Sequence, residues 1–320
     1  MQRRRAGHNL CYHRRAPPRA GAGFNGDTMS HRRYRLSLYL MLAPFLLGVA
    51  LLVMLPAALS LGLAFTSYDG LSPPAWRGLA NFRALGGDEL FRTALANSLL
   101  FVALTVPLRT LLTLGLALLL ARPRRGVGLY RAAIYLPTVV PGVAYAMVWL
   151  WLLNPLYGPL NLVLGALGLP TPAWLVDPRT ALLALALAAL FQLGEGFVVL
   201  LAGLQEIPDD YYEVAAMDGA GRLALLRQVV LPLLAPWLLL VVIRDLIVSV
   251  QSSFTPALVM TGGGPYYATL LVPLLIYQTA FDRLRFGEGA AMTAVVFVGV
   301  GLLVALARRV AGGWGYDDAV

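Results

Sequence analysis

Six long apolar segments set the limits on what this chain can fold into. They cover about residues 36–65, 94–121, 132–153, 180–203, 231–253 and 290–307. An α-helix needs about 20 residues to cross the hydrocarbon core of a bilayer, and each segment is close to or above that length. Charged residues make up only 13% of the chain, against about 25% in ordinary soluble domains. We therefore predict the all-α fold class, as a polytopic membrane protein with six transmembrane helices.

The segments divide the chain into three parts. Residues 1–35 are a basic N-terminal segment, and 1–28 are rich in Arg, Gly and Pro without periodicity, which is typical of disorder. Met29 offers an alternative start of translation. Residues 36–310 form the predicted transmembrane domain, and 311–320 form a short tail. The first apolar segment exceeds the 7–15 residues of a signal-peptide core, so we expect it to be retained as a helix.

The orientation in the membrane follows from the arginines, which supply all basic residues because the chain has no lysine. Eleven arginines flank the segments on one side and six on the other. The eleven are Arg32, Arg33, Arg35, Arg122, Arg124, Arg125, Arg131, Arg222, Arg227, Arg308 and Arg309, and the six are Arg77, Arg83, Arg92, Arg179, Arg283 and Arg285. Loops rich in arginine stay in the cytoplasm. We therefore predict that both termini and the loop 204–229 are cytoplasmic.

Cysteine and histidine usage narrows the possible chemistry. The single cysteine, Cys11, and the three histidines, His8, His13 and His31, all precede the first apolar segment. One thiol excludes an internal disulfide, and no thiol or imidazole lies in the apolar segments to bind a metal. This composition argues against an intramembrane protease or a metal-dependent enzyme. The basic N-terminal flank is typical of a cytoplasmic tail, and we expect no binding of nucleic acid.

The longest polar interruption of the C-terminal half covers residues 207–232. Pro208 lies near a first helical position, and two aspartates follow it where a helix N-terminus favours negative charge. Residues 211–217 predict about two turns of helix, and Gly219 suits the residue that ends one. A second helical run, 222–230, leads into the next apolar segment. We interpret these two short helices joined at a glycine as a docking element.

The same stretch resembles the signature loop of the bacterial ABC importer permeases. The matching residues are Tyr212, Glu213, Ala215, Asp218, Gly219, Ala220, Val229, Leu231 and Pro232. Two positions depart mildly from the pattern, because Val214 stands where Ala is usual and Val229 where Ile is usual. The resemblance implies a cytoplasmic coupling helix that docks on a separate ATPase. The coupling residues it implies are Glu213, Ala215, Ala216, Asp218, Gly219 and Pro232. Glu213 would make a polar contact, Gly219 would permit the tight turn, and the alanines would allow close approach.

Other motifs of the sugar-type permeases recur between about Tyr39 and Arg309. They are similar to GLxNF at residues 78–82, NPxxGxxN at 154–161, LAGLQxIP at 201–208 and TGGGP at 261–265. Read alone, the glycines and the proline of the last motif predict a flexible outer turn.

Two prolines and several polar residues within or beside the apolar segments are candidates for a substrate pathway. Pro137 and Pro141 free backbone carbonyls, which membrane depth tolerates only against protein or a water-lined cavity. The candidates are Pro137, Pro141, Gln192, Glu195, Gln251 and Ser252. Arg109, Arg244 and Asp245 are also buried charges, and they either line the pathway or form interhelical ion pairs. Because neighbours on a helix do not face each other, we expect Arg244 and Asp245 to have separate partners.

The resemblance implies half of the translocation pathway of an ATP-driven, binding-protein-dependent importer for a sugar or related polyol. The implied partners are a second permease subunit in a heterodimer, two ATP-binding subunits, an extracytoplasmic solute-binding protein and the lipid of a bacterial inner membrane. A Walker A motif requires a lysine, which this chain lacks. We therefore expect no cofactor or catalytic residue in this chain, with ATP and Mg bound by the separate ATPase.

Two other function classes are weighed against the importer. An ion-coupled secondary transporter could use Glu195 or Asp245 as a proton relay, but such carriers often contain inverted repeats, and none is evident. A membrane-embedded lipid transferase would need a dense cluster of carboxylates or histidines, which scattered single acids do not supply.

Overall fold

The computed structural model describes residues 31–311. The predicted disorder of residues 1–28, the alternative start at Met29 and the tail from residue 312 lie outside the described residues. The chain divides into two units, Met1–Pro56 and Ala57–Val320. In the first unit, α1 covers His31–Val49 and is followed by a π-helix at Ala50–Met54. Helix α1 thus begins five residues before the predicted start of the transmembrane domain.

The remaining elements are short strands and helices of very different length. After α2 (Leu55–Leu63) come β1 (Thr66–Ser67), β2 (Ala75–Trp76), α3 (Ala80–Gly87), α4 (Glu89–Leu120), α5 (Val127–Val139), α6 (Gly142–Leu152), α7 (Pro159–Ala166), α8 (Pro178–Leu190), α9 (Gly194–Gln205), α10 (Asp209–Met217), α11 (Arg222–Leu225), α12 (Leu231–Ser252), α13 (Phe254–Pro256), α14 (Val272–Tyr277) and α15 (Phe286–Ala311). Further π-helices cover Leu226–Val230, Ala257–Thr261 and Gln278–Asp282. β1 and β2 pair antiparallel, with Thr66 opposite Trp76.

The helices confirm the all-α fold class and the positions of the six predicted spans. Within residues 31–311, four helices are long and apolar enough to cross a membrane: Arg35–Leu63, Glu89–Leu120, Arg222–Thr261 and Phe286–Val310. Two bent pairs, α5 with α6 and α8 with α9, bring the number to six if each pair is one span. We number these spans one to six in chain order.

Prolines explain two of the π-helices. Pro56 and Pro232 each follow a π-helix by two residues, at Ala50–Met54 and Leu226–Val230. A proline has no N–H to donate, and its ring clashes with the carbonyl of residue i−4 in a regular helix. A π-helix widens one turn and so accommodates the proline without ending the helix. In span five, the Leu231 N–H accordingly donates to the Leu226 carbonyl.

Spans three and four are both broken, and their breaks touch. Span three bends by 102° between α5 and α6, where Val140 is extended before Pro141. Span four bends by 47° between α8 and α9. The Gly194 N–H donates to the Thr138 hydroxyl at 3.2 Å. A side chain at Gly194 would collide with Thr138 and with Tyr135, so only glycine permits this contact.

The second unit buries apolar side chains in separate clusters. One cluster joins Ala64, Leu85, Phe101, Leu153 and Leu271, among others, and lies at the end of the spans that carries residues 64–88, 154–178 and 262–285, which we call the far end. Another cluster joins residues of spans two, four and five near the loop 207–232; its fully or nearly fully buried members include Ala117, Phe197, Leu200, Ile207 and Leu234. The two ends of the spans are therefore held by different sets of contacts.

Asparagines of the sequence motifs fix the loops of the far end. Asn81 donates to the Ala64 and Thr66 carbonyls at 2.8 and 2.9 Å. Asn161 donates to the Pro155 and Pro172 carbonyls, and its oxygen accepts from Trp174 at 2.8 Å. Backbone carbonyls in a loop need such partners when they are buried. The motif residues at this end are therefore structural.

Candidate functional site

Four charged side chains from spans two, four and five form one connected network. The Arg109 Nη1 lies 3.8 Å from the Asp245 Oδ1, and both side chains are at most 3% exposed. The same Oδ1 accepts a hydrogen bond from the Arg244 Nη1 at 2.7 Å. Arg244 also forms an ion pair with Glu195 through its Nη2. The chain of contacts therefore runs Arg109, Asp245, Arg244, Glu195.

The network confirms the separate partners predicted for Arg244 and Asp245 and corrects the reason given for them. The prediction assumes that adjacent residues on a helix do not face each other. In the structure each has a separate partner, but the two also bond to each other. The arginine side chain is long enough to fold back over one residue, so the geometric rule for short side chains does not hold here. Of the two interpretations left open, ion pairing between helices is confirmed for Arg109 with Asp245 and for Arg244 with Glu195.

Side chains of spans two and three bind the carbonyls at the end of α8. The Arg109 Nη2 donates to the Ala189 carbonyl at 2.9 Å, and the Tyr145 hydroxyl donates to the Ala188 carbonyl at 2.6 Å. At the break of span four, these carbonyls accept from the N–H groups three residues on, Phe191 at 3.2 Å and Gln192 at 3.3 Å, in place of the regular donors four residues on. The two side chains add a second bond to each carbonyl. A cation is also favoured near a helix C-terminus. Arg109 therefore stabilises both the break and Asp245.

The buried part of the network is incompletely hydrogen-bonded. Among the described residues, the Arg109 Nε and Nη1, the Asp245 Oδ2 and the nearby Ser249 hydroxyl have no hydrogen-bond partner. Each such buried atom costs about 1–3 kcal/mol when it stays unpaired. The Arg109–Asp245 contact at 3.8 Å is an ion pair without a hydrogen bond. The buried end is thus held by charge more than by hydrogen-bond geometry.

The other end of the network reaches the surface of the chain. The side chain of Glu195 is 52% exposed and that of Arg244 is 22% exposed. Arg244 is the single charged residue in a groove of about 510 Å³ along span five, which is otherwise lined by Pro236, Leu239, Leu240, Ile243, Ile247 and Val248. Gln251 and Ser252, farther along the same helix, are exposed. Exposed charge at membrane depth needs a water-filled cavity or a protein partner, because lipid does not solvate it.

The breaks of spans three and four, which lie beside several of the predicted pathway residues, are in contact. The contact of Thr138 with Gly194 joins the break near Pro137 and Pro141 to the break that precedes Glu195. Pro141 is exposed, and Pro137 and Gln192 are half-buried. Sequence reasoning missed Thr138, Tyr145 and Gly194. Gly194 could have been noticed because it directly precedes the charged Glu195. Nothing in the sequence indicates that Thr138 packs against Gly194.

The loop 207–232 folds as two helices around a left-handed glycine. Helix α10 ends in a turn in which the Gly219 N–H donates to the Ala216 carbonyl and the Ala220 N–H to the Ala215 carbonyl. This pair of bonds is the Schellman motif, which requires a positive φ at the residue after the C-cap. Gly219 has a φ of +73°, and open space surrounds it. The predicted glycine turn is confirmed.

The two predicted coupling alanines lie on different sides of α10. Ala215 is buried within the chain, while Ala216 is exposed, so only Ala216 is available to a partner. Glu213, Asp218 and Pro232 are exposed, as are the apolar side chains of Tyr211, Val214 and Met217. Tyr212 packs against the core; burial raises the pKa of its hydroxyl, Asp209 raises it further, and Arg122 opposes them. The helix therefore presents a mixed acidic and apolar face.

A turn at the far end, residues 262–271, has an unusual backbone. Tyr266 and Tyr267 both have positive φ values, +49° and +62°. Each left-handed residue with a side chain costs about 1–2 kcal/mol. The turn is tied by Asn97, which donates to the Tyr267 and Leu270 carbonyls at 2.8 and 3.2 Å, and by Ser98, which accepts from the Val272 N–H. The predicted outer turn is therefore held by long-range hydrogen bonds.

Comparisons with known proteins agree on one family. The family described as "Binding-protein-dependent transport system inner membrane component" matches residues 110–312. The probable ABC transporter permease protein YesP of Bacillus subtilis is 34% identical over 299 residues, which cover 92% of this chain and 96% of that protein. The trehalose/maltose transport system permease protein MalF of Thermococcus litoralis is 33% identical over 81% of this chain and 88% of its own.

A solved structure supports the fold. The crystal structure of a bacterial alginate ABC transporter, in complex with an alginate pentasaccharide-bound periplasmic protein, contains a chain similar to this one with a TM-score of 0.74. The sequence identity is 22%, and the match covers 87% of this chain and 95% of that chain. The chain therefore shares the fold of that transporter chain.

Proposed function

The chain belongs to the family of binding-protein-dependent transport system inner membrane components, and we propose that it forms half of the translocation pathway for an uncharged sugar or related polyol. Its function is that of a membrane permease subunit of an ABC importer. This family assignment rules out the alternative of an ion-coupled secondary transporter. It also leaves no reason to assign the chain to a lipid transferase.

One observation carries the pathway proposal: a polar strip lies exposed at membrane depth, where two spans are broken. The strip consists of Glu195 and Arg244, followed along span five by Gln251 and Ser252. Broken helices at membrane depth are tolerated where they line a cavity, and transporters commonly bind their substrates at such breaks. A second permease subunit, facing this strip, would complete the pathway in a heterodimer.

The charge of the network favours an uncharged solute. Two arginines and two carboxylates make a net charge of zero, and each member has a partner of opposite charge. An anionic solute would compete with Glu195 for Arg244, and breaking such a pair leaves a charge uncompensated. Hydroxyl groups can instead bond to the exposed edges of the pair, and hydrogen bonds to charged groups are stronger than neutral ones. Trehalose and maltose, named for MalF of Thermococcus litoralis, have this chemistry.

Coupling to ATP hydrolysis is proposed to occur through the loop 207–232. A helix of nine residues is marginal by itself, but Ala215 and the Schellman turn fix α10 to the chain. Glu213, Ala216 and Asp218 are exposed and so available to a groove on the ATPase. The family resemblance supports two ATP-binding subunits, which bind ATP and Mg, and an extracytoplasmic solute-binding protein. In this assignment, the loop 207–232 and both termini face the cytoplasm of a bacterial cell.

The coupling proposal is tested by two glycines of the same loop. Gly219 has a φ of +73°, whereas Gly221 has a φ of −68°, and both are surrounded by open space. Gly219→Val should strain the turn by roughly 1 kcal/mol or more, while Gly221→Val should not. We expect the assembled transporter with Gly219→Val to insert normally into proteoliposomes but to lose sugar-stimulated ATP hydrolysis and uptake. Equal activity of the two variants would contradict the assignment.

The solute class is tested in the same proteoliposomes with the unmodified transporter. Uncharged disaccharides and polyols, presented with candidate solute-binding proteins, should stimulate ATP hydrolysis. A phosphorylated polyol, sn-glycerol 3-phosphate, serves as the anionic comparison and should not. Stimulation by the anion alone would overturn the assignment of an uncharged solute while leaving the permease function in place.

A further inference from the structure

The turn 262–271 at the far end displays two aromatic rings that the described residues leave largely exposed. Tyr266 is 91% exposed and Tyr267 is 55% exposed. Large apolar side chains that face lipid are ordinary in this protein, but these two lie in a turn between spans five and six. Packing among residues 31–311 therefore does not explain two adjacent tyrosines at this degree of exposure.

The backbone conformation of Tyr266 and Tyr267 is one that disfavours any side chain. Both residues have a left-handed φ, which glycine or asparagine adopts far more easily than tyrosine. Strained residues persist only where the surrounding structure imposes the conformation, and they concentrate at sites of binding. The surroundings here are Asn97 and Ser98 of span two, together with a bond from the Thr269 hydroxyl to the Gly264 carbonyl at 2.6 Å.

A fixed turn that projects aromatic rings is well suited to binding a protein. Tyrosine supplies a large contact area with little side-chain entropy to lose, and it is enriched among the residues that dominate interface energies. The same end of the chain carries a polar groove of about 330 Å³, whose lining includes Asp69, Arg77, Arg285 and Glu288. Two acids and two arginines make a balanced polar surface, which is typical of the rim of a protein interface.

We propose that Tyr266 and Tyr267 are the contact by which this chain holds its extracytoplasmic solute-binding protein. The proposal rests on the proposed function, because that function places the far end outside the cytoplasm. The family is binding-protein-dependent, and the far end is the opposite end of the spans from the loop 207–232. A soluble protein that delivers its solute to the pathway must bind at this end.

The test measures ATP hydrolysis by the assembled transporter in lipid nanodiscs against the concentration of a purified solute-binding protein. The protein used is the one that stimulates the unmodified transporter. In the variant Tyr266→Asn with Tyr267→Gly, both new residues tolerate a positive φ, so the turn should fold at least as well. We expect the half-saturating concentration to rise about tenfold or more, with the maximal rate unchanged.

Two control variants separate the rings from other effects. Tyr266→Phe with Tyr267→Phe keeps both rings and should stay within about twofold of the unmodified transporter. Tyr157→Ser removes another exposed tyrosine of the far end, outside the turn, and should also have little effect. An unchanged half-saturating concentration in the Asn–Gly variant would overturn the proposal, as would a loss confined to membrane retention, which would assign the rings to lipid headgroups. If no solute-binding protein stimulates the unmodified transporter, the proposed function itself fails.

Discussion

The two ends of the ion network differ in burial, and this difference separates a pair that joins two spans from the pair on which the pathway proposal rests. Arg109 and Asp245 are buried, lie on different spans and leave polar atoms without partners among the described residues. Glu195 and Arg244 are joined by a direct pair and reach the surface. The buried end fixes spans two and five to each other, while the exposed end is available to a solute. One network therefore contains a buried pair that joins two spans and a more exposed pair on which the pathway proposal rests.

The energies of the two ends should differ accordingly. Removing one partner of a buried ion pair typically costs 3–5 kcal/mol, because the other charge stays behind without compensation, whereas exposed pairs contribute about 0.2–1 kcal/mol. Asp245 has two cationic neighbours, but Arg109 has Asp245 as its single carboxylate within 4.0 Å in the described chain. The loss of Asp245 should therefore be the most damaging change in the network.

The largest effect is expected for Asp245→Leu. It leaves the guanidinium of Arg109 buried with the Ala189 carbonyl as its remaining hydrogen-bond partner among the described residues. We expect the free energy of unfolding in detergent to fall by roughly 3–5 kcal/mol. The double variant Arg109→Met with Asp245→Leu should recover part of this loss, because no buried charge remains at that end.

Arg109→Met alone provides the matched control. Asp245 then keeps Arg244 as a partner at 2.7 Å, so the loss should be clearly smaller than for Asp245→Leu. If the two single variants are equally unstable, or if the double variant recovers nothing, the buried pair does not act as a unit. The distinction between the two ends of the network would then be wrong.

An intermediate effect, on transport and not on stability, is expected for Glu195→Gln. Arg244 keeps its bond to Asp245, and the Glu195 side chain is 52% exposed, so the free energy of unfolding should change by less than about 1 kcal/mol. Sugar uptake in proteoliposomes should fall about tenfold if the carboxylate bonds to the solute. Glu206→Gln changes another exposed glutamate, outside the network, and should transport normally. Normal uptake with Glu195→Gln would remove the exposed end from the pathway.

The smallest effect is expected at Asp69, an exposed carboxylate that has no ion pair within the described residues. The backbone N–H of Ser72, its hydroxyl and the Leu71 N–H donate to Asp69 and lower its pKa to about 2. Because the folded pKa is lowered, the stabilisation is present above the ordinary value of 3.8 and is lost as the pH falls through about 2. Ser72→Ala should raise the pKa part of the way back.

Carbon-13 shifts of the labelled Asp69 carboxyl, followed through an acid titration, would measure this change. The backbone N–H groups remain in the variant, so the full ordinary value should not be reached. An unchanged titration midpoint in Ser72→Ala would show that the Ser72 hydroxyl does not lower the pKa of Asp69. Asp69 thus shows how far hydrogen bonds alone lower the pKa of a surface carboxylate, in contrast to the ion-paired carboxylates of the network.

Much of the fold could be predicted because its causes lie in nearby residues. The positions of the spans follow from apolar length, and the turn at Gly219 follows from bonds between residues three and five positions apart. The break of span three could be predicted from Pro137 and Pro141, since a proline acts on its own turn of helix. The break of span four contains no proline, and the sequence did not indicate it.

The sequence by itself determined the number of spans, their apolar character and the glycine turn of the loop 207–232. Only the tertiary structure decided which charges meet, because Arg244 and Glu195 are 49 positions apart and their contact depends on how two spans pack. It also decided the left-handed tyrosines, since Asn97 holds the carbonyl of Tyr267 from 170 positions away. Hydropathy and local hydrogen bonds depend on near neighbours along the chain. Ion pairing and imposed backbone strain depend on neighbours in space, which the order of residues does not state.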